Sequence, residues 1–329
     1  MERIDFVIAW VDGSDPAWQA EKARYKSGGD SSAVRYRDWD LLRYWFRAVE
    51  KYAPWVGKIH FVTWGHVPAW LNTEHPKVHV VRHDSFIPEQ YLPTFSSHPI
   101  ELNFHRIPDL AERFVYFNDD FFLTSPVKPE DFFVNGLPCD SLEESPLKMT
   151  AREIMNNVNA NDVVFLNLHF RKGECRRKNL AKWYPWQTPA VAVKNLLQTP
   201  IAKRYFYGLN IHHLPQAYCK SNLEKVWQLE PGWLHETCVH RFRDASDVSQ
   251  CVFKFYQLAT GSFHPVNKRK YGFWFRGGTD YEGAARAIRQ QRYKYICYND
   301  SDKVDREKAL PVIHAAFQAV LPQKSGFEK

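Results

Sequence analysis

The stretch Val115–Leu123 reads Val-Tyr-Phe-Asn-Asp-Asp-Phe-Phe-Leu, an apolar and aromatic run broken at its middle by an Asn and two adjacent carboxylates. A run of this kind between turn formers has the pattern of a buried strand. Successive strand residues point to opposite faces, so Asp119 and Asp120 share a face only if the strand ends or bulges there. A buried carboxylate without a partner is costly enough that it pairs, binds a metal or keeps its proton. Two readings follow. The strand ends at a site for a hard divalent cation such as Mg²⁺, or it ends in a turn that Asn118 and Asp119 cap.

The chain before it supplies a second strand end of the same character. Ile4–Val11 is nearly continuous in apolar residues, as a central parallel strand is. It runs into Asp12-Gly13-Ser14-Asp15-Pro16, a dense turn signal. Open α/β sheets place their ligands at such carboxyl ends. Gly13 permits close backbone approach. Ser14 and Asp15 can cap a helix opened by Pro16, whose free amides also suit a phosphate.

Leu41, Leu42, Trp45, Phe46 and Val49 fall on one helical face, and strands are expected over 58–64 and 78–81. Helices are expected from Ser96 or Ser97 to Arg106 and over 108–113, with loop over 124–150. Beyond residue 151 the pattern changes to helices with long connections, over 175–183, 188–198, 199–207, 219–228, 247–260 and 303–320. The alternation in the first half predicts an α/β layer of doubly wound or nucleotide-sugar-binding type. The whole, 1–329, reads as one catalytic unit. Its residues 1–150 form the nucleotide-sugar-binding core, and a mainly helical 151–329 completes the site.

Aromatic residues make up 16% of the chain, with twelve Trp and twenty-three Phe, enough to line a deep cleft as well as fill a core. No apolar run approaches the roughly 18–20 residues of a membrane span, and Met1–Asp5 leads into a strand without a signal-peptide pattern. The six cysteines form no CxxC pair, which argues against a zinc site and for a reducing, cytosolic setting. A formal charge of +7 implies an anionic partner: a nucleotide, a phosphorylated glycan, an anionic lipid surface or nucleic acid.

Taken together, the motifs resemble the Stealth family of sugar-phosphate transferases, bacterial capsule and exopolysaccharide phosphotransferases related to the animal N-acetylglucosamine-1-phosphotransferase. The first block is Ile4 to Pro16. The second runs from Arg35-Tyr36-Arg37-Asp38 through Tyr52–Val56 and Ile59–Thr63, and continues with Leu92–Ser97 and Tyr116–Asp120. A third is His212-His213-Leu214-Pro215 with Arg241 to Asp247, and the last is Cys297-Tyr298-Asn299-Asp300-Ser301. The resemblance implies a glycosyltransferase-A-like core, a mixed or parallel sheet with helices on both faces. The activity implied is transfer of a sugar-1-phosphate from a nucleotide-sugar to a glycan hydroxyl. That forms a phosphodiester in capsule or exopolysaccharide synthesis. The animal relatives carry large inserted recognition modules for which this chain has no room, so a glycan acceptor is expected rather than a protein.

Attack at a pyrophosphate needs charge neutralisation, in-line positioning and help in deprotonating the acceptor hydroxyl. Asp119 and Asp120 are the expected ligands of Mg²⁺ or Mn²⁺, with Asn299 or Asp300 completing the shell. Asp12, Gly13, Ser14 and Asp15 are expected to hold the donor. Arg35, Arg37 and Arg43 match phosphate oxygens, and Ser96 and Ser97 are further substrate contacts. His213 is expected as general base or phosphate contact, because an imidazole titrates near working pH; Asp120 is the rival base, and Arg243 would stabilise charge on the transferring phosphoryl group. The expected setting is the cytoplasm, at the inner face of the membrane with peripheral association, and without nucleic acid. The alternatives are an ordinary metal-dependent glycosyltransferase, which would release a nucleoside diphosphate, and a basic nucleic-acid- or membrane-surface-binding protein with structural acidic clusters.

Overall fold

The computed structural model describes residues 2–25, 36–147, 149, 153–198 and 203–329. Its largest sheet is five-stranded, and β1 (Ile4–Ala9) lies at its centre. β1 pairs in parallel with β2 (Ile59–Thr63) on one side and β4 (Arg113–Phe117) on the other, with Phe6 opposite both Ile59 and Val115. β3 (Val78–Arg82) extends the sheet in parallel beyond β2, and β8 (Gln216–Cys219) closes the other edge antiparallel to β4. The sheet is therefore mixed, and it belongs to the expected α/β class.

Both faces of β1 are buried, which is why its sequence does not alternate. Phe6, Ile8, Val115 and Phe117 face a core shared with Trp45, Phe46 and Val49 of α2 (Leu42–Tyr52) and with α12 (Tyr281–Arg289) and α13 (Arg306–Val320). Val7, Phe114 and Tyr116 face the opposite core, closed by α8 (Lys220–Leu229), α9 (Pro231–Val239) and α10 (Cys251–Thr260). A third apolar cluster joins α10 to α4 (Ile154–His169), α5 (Lys172–Lys178) and α6 (Leu180–Trp183), where Leu166, Trp183 and Phe255 are fully buried.

The stretch 115–123 is two strands. β4 ends at Phe117, Asn118–Asp120 turn, and β5 (Phe121–Leu123) belongs to a different sheet. There β5 runs antiparallel to β11 (Tyr295–Tyr298), which pairs in parallel with β10 (Gly272–Phe275). The turn satisfies the pleat rule: with the strand interrupted, both carboxylates can approach one cavity. The halves of the chain are interleaved, since β8 completes the first half's sheet while β5 joins β10 and β11.

Several expected elements differ. Residues 108–113 form no helix, because Arg113 already begins β4. Within 124–150, β6 (Phe133–Val134) and β7 (Leu137–Asp140) form a small sheet with β9 (His264–Pro265). Of the helix expected over 199–207, residues 199–202 lie outside the described residues and 203–207 are not helical. The expected helix at 188–198 is α7 (Pro189–Gln198). α1 (Pro16–Arg24) and α3 (Ser97–Leu102) begin where expected, capped by Asp15 and Ser96, while α11 (Lys268–Tyr271) is one turn.

Candidate active site

The carboxylate turn is held from both sides. Phe121 N–H donates to Asn118 O at 3.1 Å, and Tyr298 N–H donates to Asp120 O at 2.9 Å. The Tyr116 hydroxyl lies within hydrogen-bond distance of Asn118 Oδ1 and, at 2.9 Å, of Glu101 Oε1, and shares its one proton between them. Asp119 and Asp120 carry the turn's carboxylates, and Asp119 lies within electrostatic reach of Asp38, which lines the cleft described below. Asp119 keeps an accessible surface, yet protein packs around its carboxylate and raises its pKa, first by desolvation and then through the charges of Asp120 and Asp38. Burial likewise raises the pKa of Asp38.

His213 stands across from this turn. Its Nε2 lies 3.7 Å from Asp120 Oδ2, and its ring is fixed between Phe121 and Trp274, with centroids 4.8 and 4.9 Å away. Its neighbour His212 turns the other way into a 3.0 Å contact with buried Glu143. Leu214 and Pro215 lead straight into β8, so the pair of histidines is split between site and core. Cys297 Sγ completes the cluster, donating to Asp120 Oδ2 at 3.4 Å; one ligand atom from each of Asp120, His213 and Cys297 lies within 4.8 Å of the others.

These residues fit a divalent cation. Asp120 Oδ1 is buried without a hydrogen-bond partner, a cost that a cation would relieve, and Asp119 is crowded by like charge. Carboxylate oxygens with an imidazole nearby suit Mg²⁺ or Mn²⁺. The Cys297 thiol is a soft ligand that suits Mg²⁺ or Mn²⁺ less than the carboxylates do, and burial and the adjoining Asp120 carboxylate raise its pKa.

The end of β1 forms the neighbouring wall. Asp12 N–H donates to His66 Nε2 at 2.8 Å, and Asp12 Oδ1 accepts from Ser14 N–H and Oγ–H at 2.9 and 2.6 Å. A side chain at Gly13 would meet Tyr36 O at 2.1 Å, so only glycine fits there. Asp15 accepts from Trp18 N–H at 2.8 Å and serves the helix rather than the cleft. Asp12, Gly13, Ser14, Trp18, Lys22 and Tyr36 line a cleft of about 690 Å³ together with Arg37, Asp38 and Arg306.

Other candidates are placed elsewhere. Arg35 lies outside the described residues. Arg37 Nε donates to Asp300 Oδ2 at 2.7 Å, which ties up two candidates in one ion pair. Arg43 stacks over Trp70 at 5.3 Å and does not line the cleft among the described residues. Asn299 Oδ1 accepts from Trp274 Nε1–H at 3.0 Å and from Gly277 N–H at 2.8 Å. Both of its lone pairs are engaged, and Asp300 accepts from Arg37 and Ser301 N–H, so in this structure the two residues expected to complete a metal shell fix the loop. Ser96 caps α3 by accepting from His98 N–H at 3.3 Å, and Ser97 Oγ accepts from Arg243 at 3.0 Å. Phe242 beside Arg243 stacks on Phe95, and Phe95 packs on Trp18, so Ser97 and Arg243 lie behind the aromatic wall of the cleft.

Three cations escaped the sequence reading. Lys22 sits 3.7 Å over the Tyr36 ring; it is one helical turn beyond Trp18, a signal the sequence did carry. Arg276 stacks on Trp274 at 3.9 Å, beside His213, and Arg306 donates to Asp38 O at 2.5 Å. The last two have no local pattern that marks them; tertiary folding brings them in.

Known proteins resemble this chain over its whole length. Stealth protein conserved region 1 matches residues 2–30 and conserved region 2 matches residues 35–139. The capsular polysaccharide phosphotransferase WcwK of Streptococcus pneumoniae is 36% identical over 100% of this chain and 99% of its own. The receptor polysaccharide phosphotransferase WefC of Streptococcus oralis is 38% identical over the full length of both. An exopolysaccharide phosphotransferase of Lactiplantibacillus plantarum is 37% identical over 99% of this chain and 96% of its own. Among solved structures, the galactosyltransferase LgtC superposes with a TM-score of 0.39 at 10% identity, covering 94% of this chain and 95% of that one. Conserved-region matches and full-length relatives agree: the chain belongs to the Stealth family of polysaccharide phosphotransferases.

Proposed function

We propose that this enzyme transfers a sugar-1-phosphate from a nucleotide-sugar to a glycan hydroxyl, building the phosphodiester linkages of a capsular or exopolysaccharide. The observation that carries the reading is the pairing of Asp120 with His213 at 3.7 Å, with Asp120 Oδ1 unpartnered, beside a cleft that also presents Lys22 and Arg306. The donor's nucleotide end would lie against Trp18 and Tyr36. Its phosphates would run toward the carboxylate turn.

Asp119 and Asp120 would hold Mg²⁺ or Mn²⁺, which when bound neutralises pyrophosphate charge. The acceptor oxygen attacks the β-phosphorus, the bond from that phosphorus to the bridging oxygen breaks, and nucleoside monophosphate leaves with the electron pair. His213 takes the hydroxyl proton. Asp120 lies close enough to stabilise the imidazolium that results, and the fixed ring needs no reorientation. Lys22, Arg276 and Arg306 are among the described cations that would meet phosphate oxygens.

Product analysis tests the reading. Incubation with a panel of nucleotide-sugars, Mg²⁺ or Mn²⁺ and oligosaccharide acceptors should release nucleoside monophosphate and give a new phosphodiester resonance by phosphorus NMR. Nucleoside diphosphate and a plain glycosidic product would establish glycosyl transfer instead.

A further inference from the structure

Among the described residues, α7 is fixed by one face. Asn195, fully buried, donates through Nδ2 to Leu142 O and Trp183 O at 2.8 and 2.9 Å and accepts from Glu144 N–H at 3.0 Å. Val191 is buried one turn before it. At 100° per residue, Val193, Leu196 and Leu197 must then project from the opposite side. Leu196 is 62% exposed and Leu197 70%, while Trp186, just ahead of the helix, is 83% exposed. A single exposed leucine means nothing. A whole helical face of aliphatic side chains with an outlying Trp is, among the described residues, an unpartnered surface.

The charge around it says what covers it. Residues 171–205 contain nine Lys or Arg and a single acid, Glu174. Arg177, Lys178, Lys203 and Arg204 are exposed. The segment that carries Lys203 and Arg204 runs between α5 and the end of α7: a Cβ on Gly173 of α5 would lie 3.6 Å from Lys203 O, and the Tyr207 hydroxyl donates to Gln198 Oε1 at the end of α7 at 2.5 Å. A second copy meeting this face would bring the same positive charge against it. An anionic bilayer offers both complements, negative headgroups for the cations and an acyl boundary for the leucines and Trp. We infer that the outer face of α7 and the cations beside it dock on an anionic lipid surface, with the helix lying in the interface plane. No helix of the described residues is long and apolar enough to cross a membrane, so the attachment is peripheral.

Vesicle flotation of the full chain tests this without any substrate, and so separately from the reaction proposed above. Binding is expected to phosphatidylcholine vesicles containing phosphatidylglycerol and not to phosphatidylcholine alone. Leu196→Ser with Leu197→Ser, and separately Lys203→Glu with Arg204→Glu, should each weaken binding by about tenfold or more. Both pairs are exposed, so melting by circular dichroism should be unchanged, and that measurement certifies the fold. The inference is overturned if anionic vesicles are not bound, or if the Leu196→Ser, Leu197→Ser variant floats as well as wild type. It is equally overturned if light scattering shows a dimer that this variant dissociates, because a second copy would then cover the face.

Discussion

Arg37 donates its Nε–H to Asp300 Oδ2 at 2.7 Å across 263 residues of sequence, and this pair closes the rim of the cleft. Arg37 also reaches Ser301 O at 3.1 Å, while Asp300 Oδ1 accepts from Ser301 N–H at 2.8 Å. The two residues act as a clasp between the 36–38 segment and the end of β11. Arg37→Ala and Asp300→Ala should therefore give similar losses that are not additive, with a coupling energy of about 1 kcal/mol in a thermal double-mutant cycle. Mn²⁺ affinity, read by electron paramagnetic resonance, should change little in Asp300→Ala. A large drop there would return Asp300 to the metal shell.

Asn299 acts on the same loop from inside. Its Oδ1 holds Trp274 Nε1–H and Gly277 N–H, and Gly277 sits at φ 65°, a conformation that glycine tolerates. Asn299→Ala leaves two donors half-buried without their acceptor and should cost roughly 1–3 kcal/mol. Asn299→Asp keeps the acceptor oxygen and should cost less. Melting temperatures of the two variants decide; equal losses would show that the oxygen is not what matters.

Asp120 and His213 separate metal from proton transfer. Asp120→Asn should lose both turnover and Mn²⁺ affinity. His213→Ala should lower kcat by roughly 10²–10⁴, the usual contribution of a positioned general base, with Mn²⁺ affinity nearly unchanged. If His213→Ala weakens Mn²⁺ as strongly as Asp120→Asn does, the imidazole is a ligand and the base lies elsewhere.

What the sequence showed of this site was local. Asp12, Gly13 and Ser14 follow directly from a buried strand meeting a turn, and the Asp119–Asp120 pair was legible because carboxylates interrupt an apolar run. The conflict between two adjacent acids and a period-two strand even required the break that separates β4 from β5. The contacts of Arg37, Asp300 and Asn299 were not legible because their partners lie far away in sequence: a polar residue near a motif gives no sign of whether its hydrogen bonds are already spent. Arg276 and Arg306 were missed for the converse reason, standing outside any motif until β10 and α13 are folded into place. α4 escaped because its sequence is only weakly amphipathic, with Asn156, Asn157, Asn159 and Asn161 spread through it.

Asp162 on α4 sets a pH dependence of stability apart from the site. It is fully buried, with Oδ1 accepting from Ser249 N–H at 2.8 Å and Oδ2 2.6 Å from Ser249 Oγ. Burial raises its pKa to about 7, and the Ser249 contacts only partly offset this. The folded state therefore keeps a proton that the unfolded chain has lost, from the ordinary carboxylate pKa of about 4 up to about 7. In that window the contribution is full at the acid end and falls as pH rises, by at most about 1.4 kcal/mol per pH unit, then stays flat above it. Asp162→Asn mimics the protonated acid, with its carbonyl oxygen accepting from Ser249 N–H and its amide donating to Ser249 Oγ. The stability of Asp162→Asn relative to wild type should grow between pH 5 and pH 7, as measured by urea unfolding at each pH. A difference that stays constant across that range would mean that Asp162 is ionised in the folded protein and that α4 tolerates a buried charge.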